Sequence, residues 1–247
     1  MKTWKIAVVL IGALWLSACK KPEDRSCFKR SGELSERTVF LGDFNRLYLR
    51  ERMKFVLIQD SANKVVIQGG KNLLNFVEVT ENEGLVTVLN QNRCNYWRNY
   101  AMPTVEIHFS QLINLKFEGT ERLYNQDTLI TDYLTLTLKD GGGTVDLKVK
   151  AIDIKAENTY GWGNLLLHGS AQFLRANLMG DGAFDFQKLK VTNELKILTV
   201  SSRDQQIRAD GIPLQVQIDG VGNIRYWGVP SGISLNNYGS GALINSN

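Results

Sequence analysis

Two carboxylates and two imidazoles are the groups in this chain best placed by type and spacing for acid–base chemistry. Asp146 and Asp185 hold one outward register two turns of a repeating pattern apart, with Leu166 between them. Stacked strands at roughly 4.8 Å would set them roughly 10 Å apart. The two acids of an inverting glycosidase stand roughly 6.5–9.5 Å apart, so a polysaccharide-cleaving pair is one expectation. Against it, the same column continues with Arg208, Arg225 and Ile244, the mixture of an ordinary solvated face. His108 lies beside Glu106 on the polar face of Val105–Phe109, and His168 follows Leu165-Leu166-Leu167. Neither histidine has a ligand at i+2 or i+4, and without a Cys/His cluster no zinc site is expected. There is no Gly-x-Ser-x-Gly elbow and no phosphate-loop signature. The sequence predicts no catalytic residue, no metal and no cofactor.

Aromatic side chains offer binding chemistry instead. Tyr160, Trp162, Trp227 and Tyr238 sit at or near glycine corners, and Tyr96, Trp97 and Tyr100 follow Cys94. Exposed aromatics on a rigid surface stack on sugar rings or anchor protein partners; corner aromatics can equally cap the turn or fill the core. By alternation Trp227 points outward and Tyr226 inward. Gly141-Gly142-Gly143-Thr144-Val145-Asp146 glances at the calcium-binding nonapeptide, but Thr144 stands where glycine is required and the repeat is not nine residues long.

The elements that must carry these groups are repeats. Gly141-Gly142-Gly143, Gly161-Trp162-Gly163, Gly180-Asp181-Gly182, Gly220-Val221-Gly222 and Gly239-Ser240-Gly241 recur about every 20 residues, with one double step whose middle turn, Ser201-Ser202-Arg203-Asp204, lacks glycine. After each corner the chain alternates, as in Val145/Leu147/Val149, Leu165/Leu167, Phe184/Phe186 and Ile224/Tyr226. A second alternating run follows: Ile152/Ile154, Leu174/Ala176/Leu178, Leu195/Ile197, Leu214/Val216/Ile218, Ile233/Leu235. Period two means half-buried strands, and a period near 20 means a solenoid whose turns bury their apolar faces against one another. The expected fold is all-β, a right-handed parallel β-helix or β-solenoid with turns of about 20 residues; an evenly spaced antiparallel sandwich is the alternative. An Asn-x-x-Gly-x-Gly corner, read from Asn158, Asn177 and Asn236 with Gln217 as the equivalent, suggests glycine and asparagine chosen for left-handed backbone.

Upstream, Phe44–Asp60, Lys64–Gln68, Thr104–Phe109, Asn114–Phe117 and Thr128–Leu138 read as additional strands of the same domain. Phe76–Thr80 and Leu85–Leu89 read as a hairpin, and Lys71–Phe76 as one helical turn. No linker interrupts residues 36–247, so one domain is expected. An apolar fraction of 43% and a charged fraction of 22% suit a globular chain of 247 residues. The formal charge is +4; without Lys2 and Lys5 the remainder carries 27 basic against 25 acidic residues. That balance, with no basic stripe, excludes nucleic acid as the expected partner.

The N-terminus has the form of a targeting signal: Lys2 and Lys5, then an apolar run Ile6–Leu16 too short for a permanent membrane span, then small residues. Leu16-Ser17-Ala18-Cys19 resembles the lipobox of bacterial lipoproteins, which implies cleavage after residue 18, lipidation at Cys19 and membrane attachment through the acyl chains. A plain secretory signal is the alternative. Residues 19–35 read as a flexible tether. Lys20 resembles the second residue of lipoproteins sent to the outer membrane, and Glu23-Asp24 faintly resembles a surface-export signal. Cys27 and Cys94 remain, and in an oxidising compartment they most simply form a disulfide, worth roughly 4 kcal/mol for so long a loop; two free thiols are the alternative.

The order of features is similar to Bacteroidetes lipoproteins with the GIN head domain of auto-transporter adhesins. It is carried by the lipobox, Cys27, Phe44-Asn45-Arg46-Leu47-Tyr48-Leu49, Gln59-Asp60, Val65-Val66-Ile67, Asn72-Leu73-Leu74, the hairpin, Asn92-Arg93-Cys94-Asn95-Tyr96-Trp97, Val105-Glu106-Ile107 and the glycine repeats. The resemblance implies a β-helical domain with an adhesin-like label in the cell envelope, on the surface or the periplasmic side. The long faces of the solenoid are expected to bind a glycan or an envelope or host protein, a purely structural envelope component being the alternative.

Overall fold

The computed structural model describes residues 30–92 and 101–247. Cys19, Cys27, Cys94, Tyr96, Trp97 and Tyr100 lie outside the described residues, as do the expected signal and most of the tether. The strands in chain order are β1 (Leu34–Phe40), β2 (Arg46–Glu51), β3 (Lys54–Gln59), β4 (Lys64–Gly70), β5 (Val77–Asn82), β6 (Leu85–Asn90), β7 (Thr104–Phe109), β8 (Asn114–Gly119) and β9 (Arg122–Asn125). They continue as β10 (Leu129–Leu138), β11 (Thr144–Asn158), β12 (Asn164–Leu178), β13 (Ala183–Phe186), β14 (Leu189–Thr199), β15 (Gln205–Arg208), β16 (Pro213–Ile218), β17 (Ile224–Trp227), β18 (Gly232–Asn237) and β19 (Leu243–Asn245). A single turn of 3-10 helix, Leu74–Phe76, lies between β4 and β5.

Parallel stacking makes this a β-solenoid of about seven turns. One column runs β6, β2, β8 and then the C-terminal parts of β10, β11, β12 and β14, followed by β16 and β18. A second runs β7, β3, β9, then the starts of β11 and β12, then β13, β15, β17 and β19. A shorter third column stacks Leu129, Val149, Gly169 and Leu189. Val145, Leu147, Leu165, Leu167, Phe184, Phe186, Ile207 and Ile224 point into one continuous core, where they meet Leu136, Ile154, Leu174, Leu195 and Leu214. Ile152 departs from its expected phase: it lies at the bend between columns and is exposed.

The N-terminal part is wound out of chain order. β2 lies between β6 and β8, and β3 between β7 and β9. The chain lays down one turn, reverses through antiparallel β4 and β5, builds the turn before it, then crosses to the turn after it. β1 pairs antiparallel with β4 from Leu34 onward, so strand begins inside the stretch 19–35 read as tether. Asn72 N–H and Lys71 N–H reach further back, to the carbonyls of Ser31 (3.1 Å) and Glu33 (2.9 Å).

The corner glycines have a different cause from the one their type suggests. Of the repeated Gly-x-Gly residues only Gly161 has positive φ, +91°. Gly182, Gly222, Gly239 and Gly241 are needed because successive corners stack backbone on backbone: a Cβ on any of them would fall within 3.0 Å of a carbonyl oxygen one turn below. Asn158 is also out of phase with Asn177 and Asn236. It is fully buried and its Nδ2 donates to the Gly163 carbonyl (3.2 Å), whereas Asn177 pairs with Glu157 on the outer face. The strand repeat there is 20 residues and the corner repeat 19, so the motif slips by one position.

The glycine-free turn replaces close approach with side-chain bonds. Buried Ser201 donates to the Gly182 carbonyl (2.8 Å), and the Asp181 carboxylate accepts from Ser202 N–H (2.6 Å) and Ser202 Oγ (3.0 Å). These bonds, the Ser202 N–H first among them, hold the Asp181 carboxyl below its ordinary range. Gln205, also buried, fills the next position and accepts from Phe184 N–H (2.7 Å).

Candidate functional site

The glycine corner joins the first column to the second, and inter-turn hydrogen bonds fix which residues share it. Thr159, Met179, Val200, Asp219 and Tyr238 each donate a backbone N–H to the turn beneath, at Leu138, Asn158, Leu178, Thr199 and Ile218. Trp162 N–H reaches Gly141 O (2.9 Å), Asp181 N–H reaches Gly161 O (2.9 Å) and Ser240 N–H reaches Gly220 O (3.1 Å). Side chains leaving this corner have no sheet to lie against, and they project. Tyr160 is 67% exposed, Trp162 70% and Tyr238 76%. Met179 and Val221 are exposed on the same ridge. The ridge is therefore mixed, with exposed Tyr160, Trp162, Met179, Val221 and Tyr238 set among Asp140, Asp181, Ser202, Asp219 and Ser240 on a backbone that stacking makes rigid.

Three of the four aromatic residues expected to bind ligand thus share one ridge, Tyr238 standing four turns, about 19 Å, from Tyr160 and Trp162, and the fourth lies off it. Trp227 ends β17, roughly 10 Å of strand from the corner, and is only half-exposed beside Arg208. Tyr226 packs partly buried against the core. Met179 and Val221 were invisible to sequence reasoning because an isolated apolar residue beside glycine carries no signal of its own.

Asp146 and Asp185 do share an outward column with Leu166 between them. The column continues with Gln206, Arg225 and Ile244; Arg208 pairs instead with Trp227, two positions along the strand from the expected place. Asp146 is already occupied: Arg122 Nη2 bonds one oxygen (2.6 Å) and His168 Nε2 lies 2.9 Å from the other. Asp185 accepts from the N–H of Gln187 in its own turn (3.1 Å). His108 lies 2.7 Å from Asp60, a contact that lowers the Asp60 carboxyl. A structural cluster of similar kind joins the Tyr48 hydroxyl to Glu118, with the Lys116 ammonium 4.4 Å from the Tyr48 ring. Burial first, and then the Glu118 carboxylate, push the Tyr48 phenol up to about 12. Tyr48 and Glu118 meet only because β2 and β8 are stacked, a contact across 70 positions of sequence.

Known proteins sharpen this picture. The family described as "Putative auto-transporter adhesin, head GIN domain" matches residues 43–230. The fold is shared with the crystal structure of "a putative adhesin" from Bacteroides fragilis, with TM-score 0.79 and 21% identity over 87% of this chain and 97% of that one. It is shared as well with "a putative adhesin" from Parabacteroides merdae, with TM-score 0.63 and 18% identity over 87% and 98%. A "Putative lipid binding protein" from Parabacteroides distasonis has TM-score 0.66 and 15% identity over the same shares. At these identities the likeness is one of fold. No curated protein matches the chain.

Proposed function

The chain belongs to the auto-transporter adhesin head GIN-domain family, and on that footing we propose a lipid-anchored envelope protein that binds an external ligand through the Tyr160–Trp162–Tyr238 corner. In this reading residues 1–18 are removed, Cys19 carries the acyl chains at the outer membrane, and a disulfide between Cys27 and Cys94 ties the start of the chain to the solenoid. The ligand is a glycan or an envelope or host protein. The observation that carries the proposal is the alignment of exposed aromatic side chains along one stacked corner, since large exposed apolar groups on a rigid frame are what partners anchor to. The adhesin names of two fold relatives and the lipid-binding name of a third agree with capture rather than turnover.

A polysaccharide-cleaving site at Asp146 and Asp185 has less support. Its general base would have to act while held by Arg122 and His168, and release of reducing ends by the wild type, lost in Asp185→Asn, is the result that would revive it. The test of the main reading is adhesion of cells displaying the full chain, with protease accessibility of a tag after Asn247 as the measure of exposure. Trp162→Ala and Tyr238→Ala should lower adhesion without lowering the amount displayed. Unchanged adhesion in the double variant would refute the corner as the contact surface.

A further inference from the structure

On a different face, Tyr133, Asp153 and Phe173 stand side by side across three adjoining turns of the first column. Tyr133 is 63% exposed, and Phe173 is exposed too. Asp153 and Phe173 line a pocket with Arg175, Glu194 and Lys196. The strand pairing is irregular at this pocket: Ala171 faces Val191 but Phe173 faces Glu194, so β14 carries one extra residue there. Bulges of this kind concentrate where a sheet is shaped around a site. One oxygen of Asp153 takes the Arg175 guanidinium, while Oδ1 is enclosed and accepts no hydrogen bond. A carboxylate oxygen left without a donor is an unfavourable state that a ligand hydroxyl would relieve. Reaching this enclosed oxygen requires an outward shift of the neighbouring side chains.

We propose that this face binds an extended, uncharged β-linked polysaccharide, with Tyr133 and Phe173 as stacking platforms and Asp153 as the acceptor between them. Three features select that chemistry. Two strand steps separate the rings by about 10 Å, close to the length of one disaccharide in a β-1,4-linked chain, which presents the same ring face at every second sugar. The cations are already neutralised, Arg175 by Asp153 and Lys196 by Glu194 at 3.4 Å, so nothing here calls for an anionic polymer. The strands are paired on both sides, which leaves no open edge for a peptide to join. Beyond Lys196 the face continues into a second depression lined by Asn177, Gln215, Gln217, Ser234 and Asn236, amides and a hydroxyl suited to further sugar hydroxyls.

The experiment is affinity electrophoresis of the full-length protein in detergent micelles through gels containing hydroxyethylcellulose, followed by calorimetry with cellohexaose and chitohexaose. Maltohexaose tests chain shape and polygalacturonate tests charge. Retardation and a measurable heat with either β-1,4 hexamer are expected, with none from maltohexaose. Tyr133→Ser and Phe173→Ala should each bind about tenfold more weakly. Tyr133→Ser removes an exposed ring, and thermal melting verifies that it stays folded. The proposal is overturned if neither hexamer binds, if polygalacturonate binds more tightly, or if Trp162→Ala abolishes binding while Tyr133→Ser leaves it intact. That last outcome would move the glycan to the aromatic corner and leave the corner reading standing.

Discussion

The three adjacent glycines Gly141, Gly142 and Gly143 allow the cause of the corner glycines to be tested within one turn. None of them has positive φ, so conformational freedom alone gives no reason for any to be glycine. A Cβ on Gly141 would fall within 3.0 Å of the Gly119 carbonyl oxygen, and one on Gly143 would crowd the Glu121 carbonyl oxygen in the same way. The Gly119 oxygen is not free to turn aside, because it accepts from Gly143 N–H at 3.1 Å. Gly142 has nothing within 4 Å of where a Cβ would stand. Gly141→Ala should therefore destabilise by about 1–3 kcal/mol, the usual cost of overpacking. Gly142→Ala should be neutral or stabilise by about 0.4–1 kcal/mol, since it restricts the unfolded chain at no steric cost. In a domain of this size each kcal/mol moves the melting temperature by roughly 2–4 °C, so the two variants should melt on opposite sides of the wild type or with Gly142→Ala level with it. Thermal melts by circular dichroism and urea titration both read this. If Gly142→Ala costs as much as Gly141→Ala, backbone stacking is not what holds these glycines in place.

Three further outcomes follow from the packing. Phe184→Ala, which empties a fully enclosed site whose ring centroid lies 5.3 Å from that of Phe186, should cost about 3–5 kcal/mol in urea titration. Ser201→Ala removes the donor to Gly182 O and the acceptor for Arg203 N–H, and should cost about 1–3 kcal/mol, with partial recovery in Ser201→Thr. For Asp181 the folded carboxyl lies below its unfolded value, so its contribution is present above about pH 3.9 and is lost as pH falls through the folded value. Asp181→Asn should thus melt lower than wild type at pH 7, with the gap closing on acidification below about pH 4; a gap constant across that range would count against the assignment.

The strand alternation and the 20-residue period were legible because each is set locally. Inward residues such as Leu165, Leu167 and Phe184 must be apolar wherever the turn sits, and each corner must clear the one beneath it. The place of β2 between β6 and β8 was not legible, since no local feature of Arg46–Glu51 encodes which distant strands will flank it. The Tyr48–Glu118 contact was hidden for the same reason. Asn158 misled because a motif read at constant offset cannot register that the strand repeat and the corner repeat differ by one residue. In the candidate sites, Tyr160, Trp162 and Tyr238 stood out by their proximity to glycine. Tyr133 and Phe173 did not, because an outward aromatic within a long alternating strand looks like any other surface position until the stacking sets two of them on one line.

The interleaved winding near the N-terminus divides the chain into two parts with different histories open to them. From Thr144 onward each strand pairs only with the turn before it and the turn after it, so a block of about 20 residues can be duplicated or deleted and the ends rejoin in register. Before that, β2 and β3 are gripped on both sides by strands synthesised later, and no 20-residue block can be lifted out without parting two others. A ribosome or secretion channel delivering this chain in order releases β2 and β3 well before β8 and β9 exist to cover them. Length variation among such proteins should accordingly gather in the C-terminal turns, with the interlocked N-terminal part inherited whole.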